Sequence, residues 1–498
     1  MNRMTVRTSL LLCALLLSSL SALSCGDSQP QTPAVTDADT AAVTTGTAAV
    51  ETESPYKLGL PEDLDYGGEE VFVYGWEHYE DIEFCAEAEI GEVVNDAVYR
   101  RNLNVQENLN IRLAFSEENG RGGDGAWEKK IRNANQAGDA AYDIAAGHSH
   151  RIGALTKSMD ILNLLDYDYL DLDQPWWRSE LTERALIRNK LYFVTGDICP
   201  SSVARSQGIF VNTQILSDFD LEDPYQLVVD GTWTHAKMME MSKGIYADLN
   251  ADGKPDEAGD RFGFASDGVQ LQAVGVTSGV VSVEQDADGN LVVSDNYITE
   301  RSTAIADTWI DFMHKNQDTV KIAKTDDSTV FRTGRSLFYA FPLGLISSEL
   351  RDCDFDIGFV PWPKADDTQE DYITCTSNAY SLWTIPLSAA DPDMSAAVME
   401  NMAYEGFLHI MPAMFETAYK VKYNNTTSQL QSQVFDILRE NLTFDIGRIM
   451  GSVSNDIFAL FPNAIINGKN NLSSNFEKYQ KSASKKLAQF MEEIDAAE

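Results

Sequence analysis

Short apolar runs alternate with longer amphipathic runs over much of the chain. Residues 70–74, 111–115 and 142–146 are apolar runs of the length typical of buried strands. Between them, residues 92–110 and 127–137 repeat apolar positions with the period of a helix. Strands that alternate with helices favour βαβ units, so the pattern predicts an α/β fold with a largely parallel sheet.

The N-terminus carries a different pattern. Arg3 and Arg7 precede an apolar stretch at residues 9–23, which has the length of a signal-peptide core and is short for a membrane-spanning helix. Its exit, Ala22-Leu-Ser-Cys25-Gly, resembles the lipobox of bacterial lipoproteins, although leucine is more usual where Ala22 stands. We therefore expect residues 1–24 to be a signal peptide and Cys25 to be lipidated. Cleavage without lipid is the alternative.

A polar segment follows the predicted lipidation site. Residues 27–55 contain neither lysine, arginine nor an aromatic residue and are rich in Thr, Ala, Ser and Pro. Such a composition buries too little apolar surface to fold. Residues 25–55 are predicted to be a lipid-anchored, flexible tether that holds the folded body at the extracellular face of a bacterial membrane.

The charge of the chain excludes several kinds of partner. There are 38 Lys+Arg and 77 Asp+Glu, a formal net charge of −39. Loss of residues 1–24 removes two arginines and no acid, so the mature charge is 36 minus 77, or −41. Nucleic acid and anionic lipid are poor partners for such a surface. A neutral sugar or a cation is favoured over a phosphate ester.

The remaining cysteines give no metal or redox motif. They are scattered without a CxxC spacing, which favours buried free thiols over a zinc or thioredoxin-like site, and their disulfide state is left open. They are Cys85, Cys199, Cys353 and Cys375.

A series of short patterns follows the tether in order. They are Gly67-Gly68 with the strand at Val71, residues 91–102 (GEVVNDAVYRRN), 142–144 (YDI) with 162–165 (LNLL), 190–193 (KLYF) before 209–212 (IFVN), 232–240 (TWTHAKMME), 331–338 (FRTGRSLF) and 356–364 (DIGFVPWPK). In this order they resemble the extracellular solute-binding proteins of carbohydrate ABC importers, family 1 type. The resemblance covers nearly the whole mature body.

The resemblance implies an α/β, two-lobed, periplasmic-binding-protein-like (type II) fold with a hinge between the lobes. It places the ligand between the lobes, where the carboxyl ends of strands face a cleft. The implied divisions are residues 56–204 for lobe 1, 205–375 for lobe 2, 376–425 for the return to lobe 1, and 426–498 for a C-terminal helical segment that packs on the lobes.

The implied function is capture without chemistry. Such a protein binds an extracellular carbohydrate, here an oligosaccharide, and delivers it to ABC importer membrane subunits by lobe closure. It acts as a monomer, is not an enzyme and needs no catalytic cofactor. A secreted carbohydrate-active hydrolase is the alternative, although nothing in the spacing of the acids marks a catalytic pair. A structural surface lipoprotein is the third interpretation.

Sugar binding needs flat apolar faces for the C–H patches of a pyranose and polar groups for its hydroxyls. Trp76 and Glu77 close the first predicted strand, and His148 follows the third. By resemblance, four further residues border the cleft, namely Asp197, Arg205, Phe341 and Tyr380. Packing in the core, or a satisfied surface pair, is the alternative for each of these seven candidates. Packing is the interpretation of the tryptophans at 176, 177, 233 and 309.

Residues 248–260 (DLNADGKPDEAGD) match the first nine positions of an EF-hand-like loop. The predicted calcium ligands are Asp248, Asn250, Asp252, the Lys254 carbonyl and Asp256, with Asp260 or water completing the shell. Gly259 occupies the twelfth position, where a ligand is usual. A structural calcium ion is favoured, and a solvated acidic turn is the alternative.

Overall fold

The computed structural model describes residues 56–77, 82–121, 125–346, 348–414 and 428–496, and the structural statements below concern these residues. The predicted signal peptide, Cys25 and the tether lie outside them. In the described part, no helix is both long enough and apolar enough to cross a membrane.

The described elements alternate between strands and helices. The strands are β1 (Glu69–Trp76), β2 (Ile111–Glu118), β3 (Ile144–His148), β4 (Gln207–Asn212), β5 (Phe262–Asp267), β6 (Val283–Gln285), β7 (Leu291–Val293), β8 (Thr319–Ile322), β9 (Ser336–Pro342), β10 (Ile357–Pro361), β11 (Thr374–Cys375), β12 (Ser381–Thr384) and β13 (Leu442–Thr443). The α-helices with described bounds are Val93–Leu109, Ala126–Ala137, Ser149–Lys157, Ser179–Ala185, Ser201–Ala204, Thr213–Asp218, Pro224–Val229, His235–Ser242, Ala273–Thr277, Glu300–His314, Thr329–Arg332, Pro392–Glu405, Ser428–Glu440, Ile446–Ile449, Gly451–Ser454, Leu460–Ile466 and Leu472–Ala496.

Two mixed sheets form the centres of two lobes. The first sheet has the order β12-β3-β1-β2, in which β1 runs parallel to β2 and β3 while β12 is antiparallel to β3. The second has the order β10-β4-β9-β5-β8, in which β5 is parallel to β8 and β9 while β4 is antiparallel to β9 and β10. The α/β prediction is confirmed. The three strands from which a largely parallel sheet was predicted, β1, β2 and β3, run parallel to one another. Both sheets are nevertheless mixed, because strands that return from elsewhere in the chain pair antiparallel.

The central strands of the second sheet are buried on both faces. Every residue of β4, β5 and β9 is buried. Because helices and loops cover both faces, β9 has the continuous apolar sequence Leu-Phe-Tyr-Ala-Phe rather than an alternation of apolar and polar residues.

Two segments of chain cross side by side between the lobes. The outgoing segment enters β4, and the returning segment leaves β11 for β12. Ser206 and Thr376 form an antiparallel bridge, and the Ser377 N–H donates to the Arg205 carbonyl at 2.8 Å. The two crossings are therefore tied to each other as well as to their sheets.

The C-terminal helices contact both lobes. Helix Ser428–Glu440 packs on Pro224–Val229 and β10 of the second lobe, whereas Gly451–Ser454 packs on Ser149–Lys157 of the first. Helix Leu472–Ala496 lies against β7 and Gly451–Ser454.

Within the described residues the four cysteines are thiols, and three of them, Cys199, Cys353 and Cys375, are buried. Burial raises the pKa of the Cys199 and Cys375 thiols.

Glu400 is a buried carboxylate that holds two tryptophans. The indole Nε1 of Trp176 donates to one carboxylate oxygen at 2.9 Å, and that of Trp177 donates to the other at 2.7 Å. The Asp171 N–H is a third donor, at 3.2 Å. Burial raises the pKa of Glu400 to about 7, although these three donors oppose the shift. Both tryptophans are at most 3% exposed, which confirms that they serve packing.

The buried Glu400 should make stability fall with pH. Its pKa is about 7 in the folded chain against 4.5 for an ordinary glutamate, so the unfolded chain loses this proton first as the pH rises. The free energy of unfolding should therefore fall by about 3 kcal/mol between these two pH values on account of this group. Glu400→Gln should remove that fall.

Urea unfolding of both proteins from about pH 4 to 8 measures this difference. The variant also leaves one indole without its acceptor, which lowers the free energy of unfolding by the same amount at every pH. The informative quantity is therefore the change in the free energy of unfolding with pH, and not the constant difference between the two proteins. Glu107→Gln, at an exposed helical position, is the matched control. A constant difference between wild type and Glu400→Gln across this range would contradict the assignment.

Candidate functional site

A crevice of about 380 Å³ opens where the crossing segments meet the second sheet. Strands β5, β8 and β9 are mutually parallel, so their carboxyl ends reach the same edge of the sheet. The crevice is lined by the crossings and by the loops that leave these strands, namely Arg205, Val269, Gln270, Thr325, Asp326, Phe341, Pro342, Gly344, Leu345, Ser348, Glu349, Ser377, Asn378 and Ala379.

Asp267 organises the loops at this edge. It is the last residue of β5 and is buried, and its Oδ1 accepts the N–H groups of Val269 at 2.7 Å and Gln270 at 3.1 Å. Its Oδ2 accepts the Asp326 N–H at 3.0 Å. One carboxylate thus fixes the loop after β5 and the loop after β8 against each other.

Two further carboxylates stand at the rim of the crevice. Asp326 and Glu349 are exposed there, and Glu349 accepts a hydrogen bond from the Ser328 hydroxyl. Although Asp326 is exposed, the loops around its carboxyl group remove part of its solvation and so raise its pKa. Nearby Asp267 raises the pKa further, and Arg205 opposes the shift. These groups are close enough to interact, and together they give the rim an acidic character.

The floor of the crevice combines an aromatic ring with polar groups. Phe341 is 6% exposed, and its ring lies nearly parallel to that of Tyr339, with centroids 5.5 Å apart. Ser377 is also 6% exposed, and its Oγ has no hydrogen-bond partner in the described part of the chain. Gln207 Nε2 donates to Gln270 Oε1 at 2.7 Å.

The first lobe reaches the crevice through the segment after β3. The Ser149 hydroxyl donates to the carbonyl of Asn378, which lines the crevice, at 2.8 Å. His148 ends β3 and is half-buried, and its Nδ1 accepts the His150 N–H at 3.2 Å. His148 therefore caps the helix Ser149–Lys157 next to the crevice without lining it.

Two of the predicted ligand-binding residues, Arg205 and Phe341, line this crevice together. Glu77 lies exposed after β1, and its carbonyl accepts Arg121 Nε at 2.7 Å. Tyr380 follows the crevice wall along the chain, but it is buried against Phe444, with ring centroids 5.4 Å apart. Neither Glu77 nor Tyr380 lines the crevice.

Trp76 has no accessible surface. Its Nε1 donates to Ser381 Oγ at 2.9 Å, and that hydroxyl in turn donates to the buried Glu83 at 2.5 Å. Its ring meets the His148 ring edge-on, at 4.9 Å between centroids. A ring with no open face has nothing to offer a pyranose, so we correct the stacking assignment and place Trp76 in the core.

Asp197 is also buried and lies in an ion pair rather than at the crevice. Arg178 Nη2 donates to its Oδ1 at 2.5 Å, and Arg439 Nη2 lies 3.6 Å from its Oδ2. Burial raises the pKa of Asp197, and the two arginines oppose the shift. Its role as a sugar ligand is corrected to that of a structural anion joining the first lobe to the C-terminal helix Ser428–Glu440.

Twelve of the fourteen residues that line the crevice were not predicted from the sequence, among them Gln270, Asp326, Glu349 and Ser377. A usable signal existed for the first two. Polar residues soon after strands that prove to be parallel collect at one edge, and Gln270 and Asp326 follow β5 and β8 in this way. Glu349 lies farther along the loop after β9, and Ser377 lies in the returning crossing, so neither stands directly after a strand of this parallel group.

The predicted calcium ligands hydrogen-bond to their own loop. Asp248 accepts the Gly253 N–H at 2.9 Å, and the buried Asp260 accepts the Leu249 N–H at 3.2 Å and the Tyr246 hydroxyl at 3.1 Å. Within the described residues, no three His, Cys, Asp or Glu side chains are grouped so as to hold a metal. Calcium binding by this loop stays a prediction.

Comparison with known proteins gives a match in structure and none in sequence. No model of a known protein family matches the chain, and no curated protein matches it. Solved structures do match at low identity. One is a cyclic α-maltosyl-1,6-maltose binding protein from Arthrobacter globiformis, with a TM-score of 0.55, 13% identity, and coverage of 85% of this chain and 99% of that chain.

Two further solved structures match this chain to a similar extent. UgpB from Mycobacterium tuberculosis, in complex with glycerophosphocholine, has a TM-score of 0.53 at 13% identity and covers 86% of this chain and 99% of its own. The ABC substrate-binding protein Lmo0181 from Listeria monocytogenes, in complex with cycloalternan, has a TM-score of 0.50 at 12% identity, with coverage of 86% and 99%. The chain therefore has the α/β periplasmic-binding-protein-like fold, built on two mixed sheets.

The placement of Trp76 gives a direct test. Trp76→Phe keeps the ring volume roughly but leaves the Ser381 hydroxyl without its indole donor, so the melting temperature should fall by a few degrees. Because the ring has no face in the crevice, affinity for a bound sugar should stay within about twofold of wild type. Thermal unfolding and titration calorimetry measure the two quantities. A loss of affinity of roughly tenfold or more, without loss of stability, would restore Trp76 to the binding surface.

Proposed function

We propose that this protein is the solute-binding component of a carbohydrate ABC importer, which captures an oligosaccharide in the crevice between its lobes without chemical change. The observation that carries the proposal is the position of the crevice. It lies beside the two tied crossings, at the carboxyl edge of the second sheet, and the first lobe reaches it through Ser149. A ligand at this place contacts the segments that connect the lobes.

The chemistry of the crevice supports a hydroxylated ligand. A sugar hydroxyl both donates and accepts hydrogen bonds. The crevice offers the carboxylates of Asp326 and Glu349, the guanidinium of Arg205 and the hydroxyl of Ser377. Phe341 supplies an apolar surface on the floor. A few placed polar groups around an apolar floor are typical of small-molecule sites.

The connection between the lobes supports closure as the mechanism. The Arg205–Ser377 pairing ties two short crossings that can rotate as a unit while the sheets stay rigid. In the closed state, both lobes contact the sugar, so binding raises the population of that state. The hinge and the closure are parts of the proposal.

The similar structures agree with a binding role. The Arthrobacter protein is described as binding cyclic α-maltosyl-1,6-maltose, and the Listeria protein as an ABC substrate-binding protein with cycloalternan. We carry over the class of ligand and the link to an importer, and leave the particular sugar to experiment. A secreted hydrolase is the alternative function.

The first prediction of this proposal concerns capture. Titration calorimetry with a panel of neutral oligosaccharides should find at least one that binds and is recovered intact. Phe341→Ala should weaken its binding by about 1 to 3 kcal/mol, because the floor of the crevice loses its apolar surface. Arg205→Ala should weaken binding as well. This second variant keeps the prediction testable if the Phe341→Ala protein does not fold.

Tyr479→Ala is the matched control, because this exposed ring lies on the C-terminal helix and outside the crevice. Circular dichroism establishes that each variant is folded. Steady formation of shortened sugar by the purified protein would support the hydrolase. Absence of binding to every sugar tested would overturn the proposal.

We further propose that a lipid on Cys25 holds the mature protein at the extracellular membrane face. Cys25→Ser should move the processed protein from the membrane fraction to the medium, because one removed thiol abolishes the only covalent anchor proposed. Immunoblots of both fractions measure this, with Ser24→Ala as the control at the adjacent small position. Processed Cys25→Ser protein that stays with membranes would contradict the anchor.

A further inference from the structure

The crevice carries an excess of negative charge that a neutral sugar leaves unbalanced. Two carboxylates, those of Asp326 and Glu349, and one guanidinium, that of Arg205, belong to residues that line it. A third carboxylate, Asp267, lies directly behind the wall, bonded to the Asp326 N–H. Lys324, the other cation that acts on Asp326, is exposed and does not line the crevice.

Asp326 is the carboxylate most open to a ligand. In the described part of the chain no side chain or N–H group is seen to donate a hydrogen bond to its carboxylate. Its backbone has a φ of 59°, a left-handed conformation that the Asp267 hydrogen bond holds in place. The loop therefore presents the Asp326 carboxylate to the crevice as a hydrogen-bond acceptor that a ligand can use.

A second, independent feature points to a hydroxylated ligand. Ser377 is nine-tenths buried in the wall of the crevice, and its Oγ has no partner in the described chain. Buried polar atoms are normally paired, so a bound molecule with hydroxyl groups would complete this wall.

A metal ion fits these groups less well than an amine does. Calcium needs six to eight oxygen ligands, whereas the described residues hold no group of three or more side chains suited to a metal. An ammonium group needs only about three acceptors and brings its own charge. On a sugar ring the ammonium group also has hydroxyl groups beside it, and these can form hydrogen bonds with Ser377.

We propose, on the basis of the proposed sugar-binding function, that the crevice prefers a carbohydrate bearing a positively charged amine, an amino sugar, over its neutral counterpart. The amine lies at the rim between Asp326 and Glu349. The ring hydroxyls meet Ser377 and Arg205, and the apolar face of the ring covers Phe341.

Matched sugars that differ at one position test the preference. Glucose, glucosamine and N-acetylglucosamine are titrated calorimetrically, each as the free sugar and as the β-1,4-linked dimer, with galactose and galactosamine as a second pair. The amine should bind about tenfold tighter than its hydroxyl counterpart at low ionic strength. Added salt should reduce this ratio, and N-acetylation should abolish it, because both act on the charge.

Substitutions of the rim acids test whether they cause the preference for an amine over a hydroxyl. Asp326→Asn and Glu349→Gln should each lower the ratio of amine to hydroxyl affinity about threefold, and together they should bring it close to one. Asp352→Asn, an exposed acid outside the crevice, is the matched control and should leave the ratio unchanged. The ratio within one protein is independent of how well that variant folds overall.

The possible outcomes separate the two proposals. Equal or tighter binding of neutral sugars, or an amine preference unaffected in the double variant, overturns the amino-sugar inference and leaves the importer function standing. Calcium chloride binding that is lost in Asp326→Asn would show a metal at the rim and would also overturn it. Failure of every sugar, neutral or charged, to bind overturns the proposed function as well.

Discussion

The pairing of two crossing segments determines where the crevice forms in this molecule. The Ser377 N–H bonds to the Arg205 carbonyl, and the adjoining Ser206–Thr376 bridge keeps the outgoing and returning chains together. Leu343, just after β9, adds a third tie through its N–H to the Ser206 carbonyl at 2.9 Å. These two crossings are therefore joined to the carboxyl edge of the second sheet, and the crevice forms at that junction.

The direction of the strands then decides which side chains face the crevice. Strands β5, β8 and β9 run parallel, so each delivers the start of its following loop to one edge. Asp267 uses both carboxylate oxygens to hold two of these loops, and the rim acids Asp326 and Glu349 stand beyond it. The same edge thus combines one buried carboxylate that holds the loops with two exposed carboxylates at the rim of the crevice.

The fold was predictable from sequence because its signals are local. Apolar runs and helical periodicity gave the α/β class, and the ordered motifs gave the periplasmic-binding-protein-like resemblance. Sheet direction was harder, because β4 and β12 pair with strands far away in the chain. No local pattern records whether such a distant partner runs parallel or antiparallel.

The candidate site was predictable only in part, for a physical reason. Arg205 and Phe341 were found because they lie at the crossing and at a strand end, where topology alone places a residue near the crevice. Trp76 and Asp197 also lie near strand ends or crossings, but their exposure depends on packing partners such as Ser381 and Arg439. Those partners are hundreds of positions away, and a single sequence does not show the contact.

Closure of the two lobes around a carbohydrate is the central claim, and small-angle X-ray scattering tests it most directly. The radius of gyration is measured for the free protein and again in saturating amounts of a sugar found to bind by calorimetry. We expect a smaller radius of gyration in the complex, because the proposed rotation at the Arg205–Ser377 crossing would bring the lobes together. An unchanged radius of gyration at full saturation would contradict it.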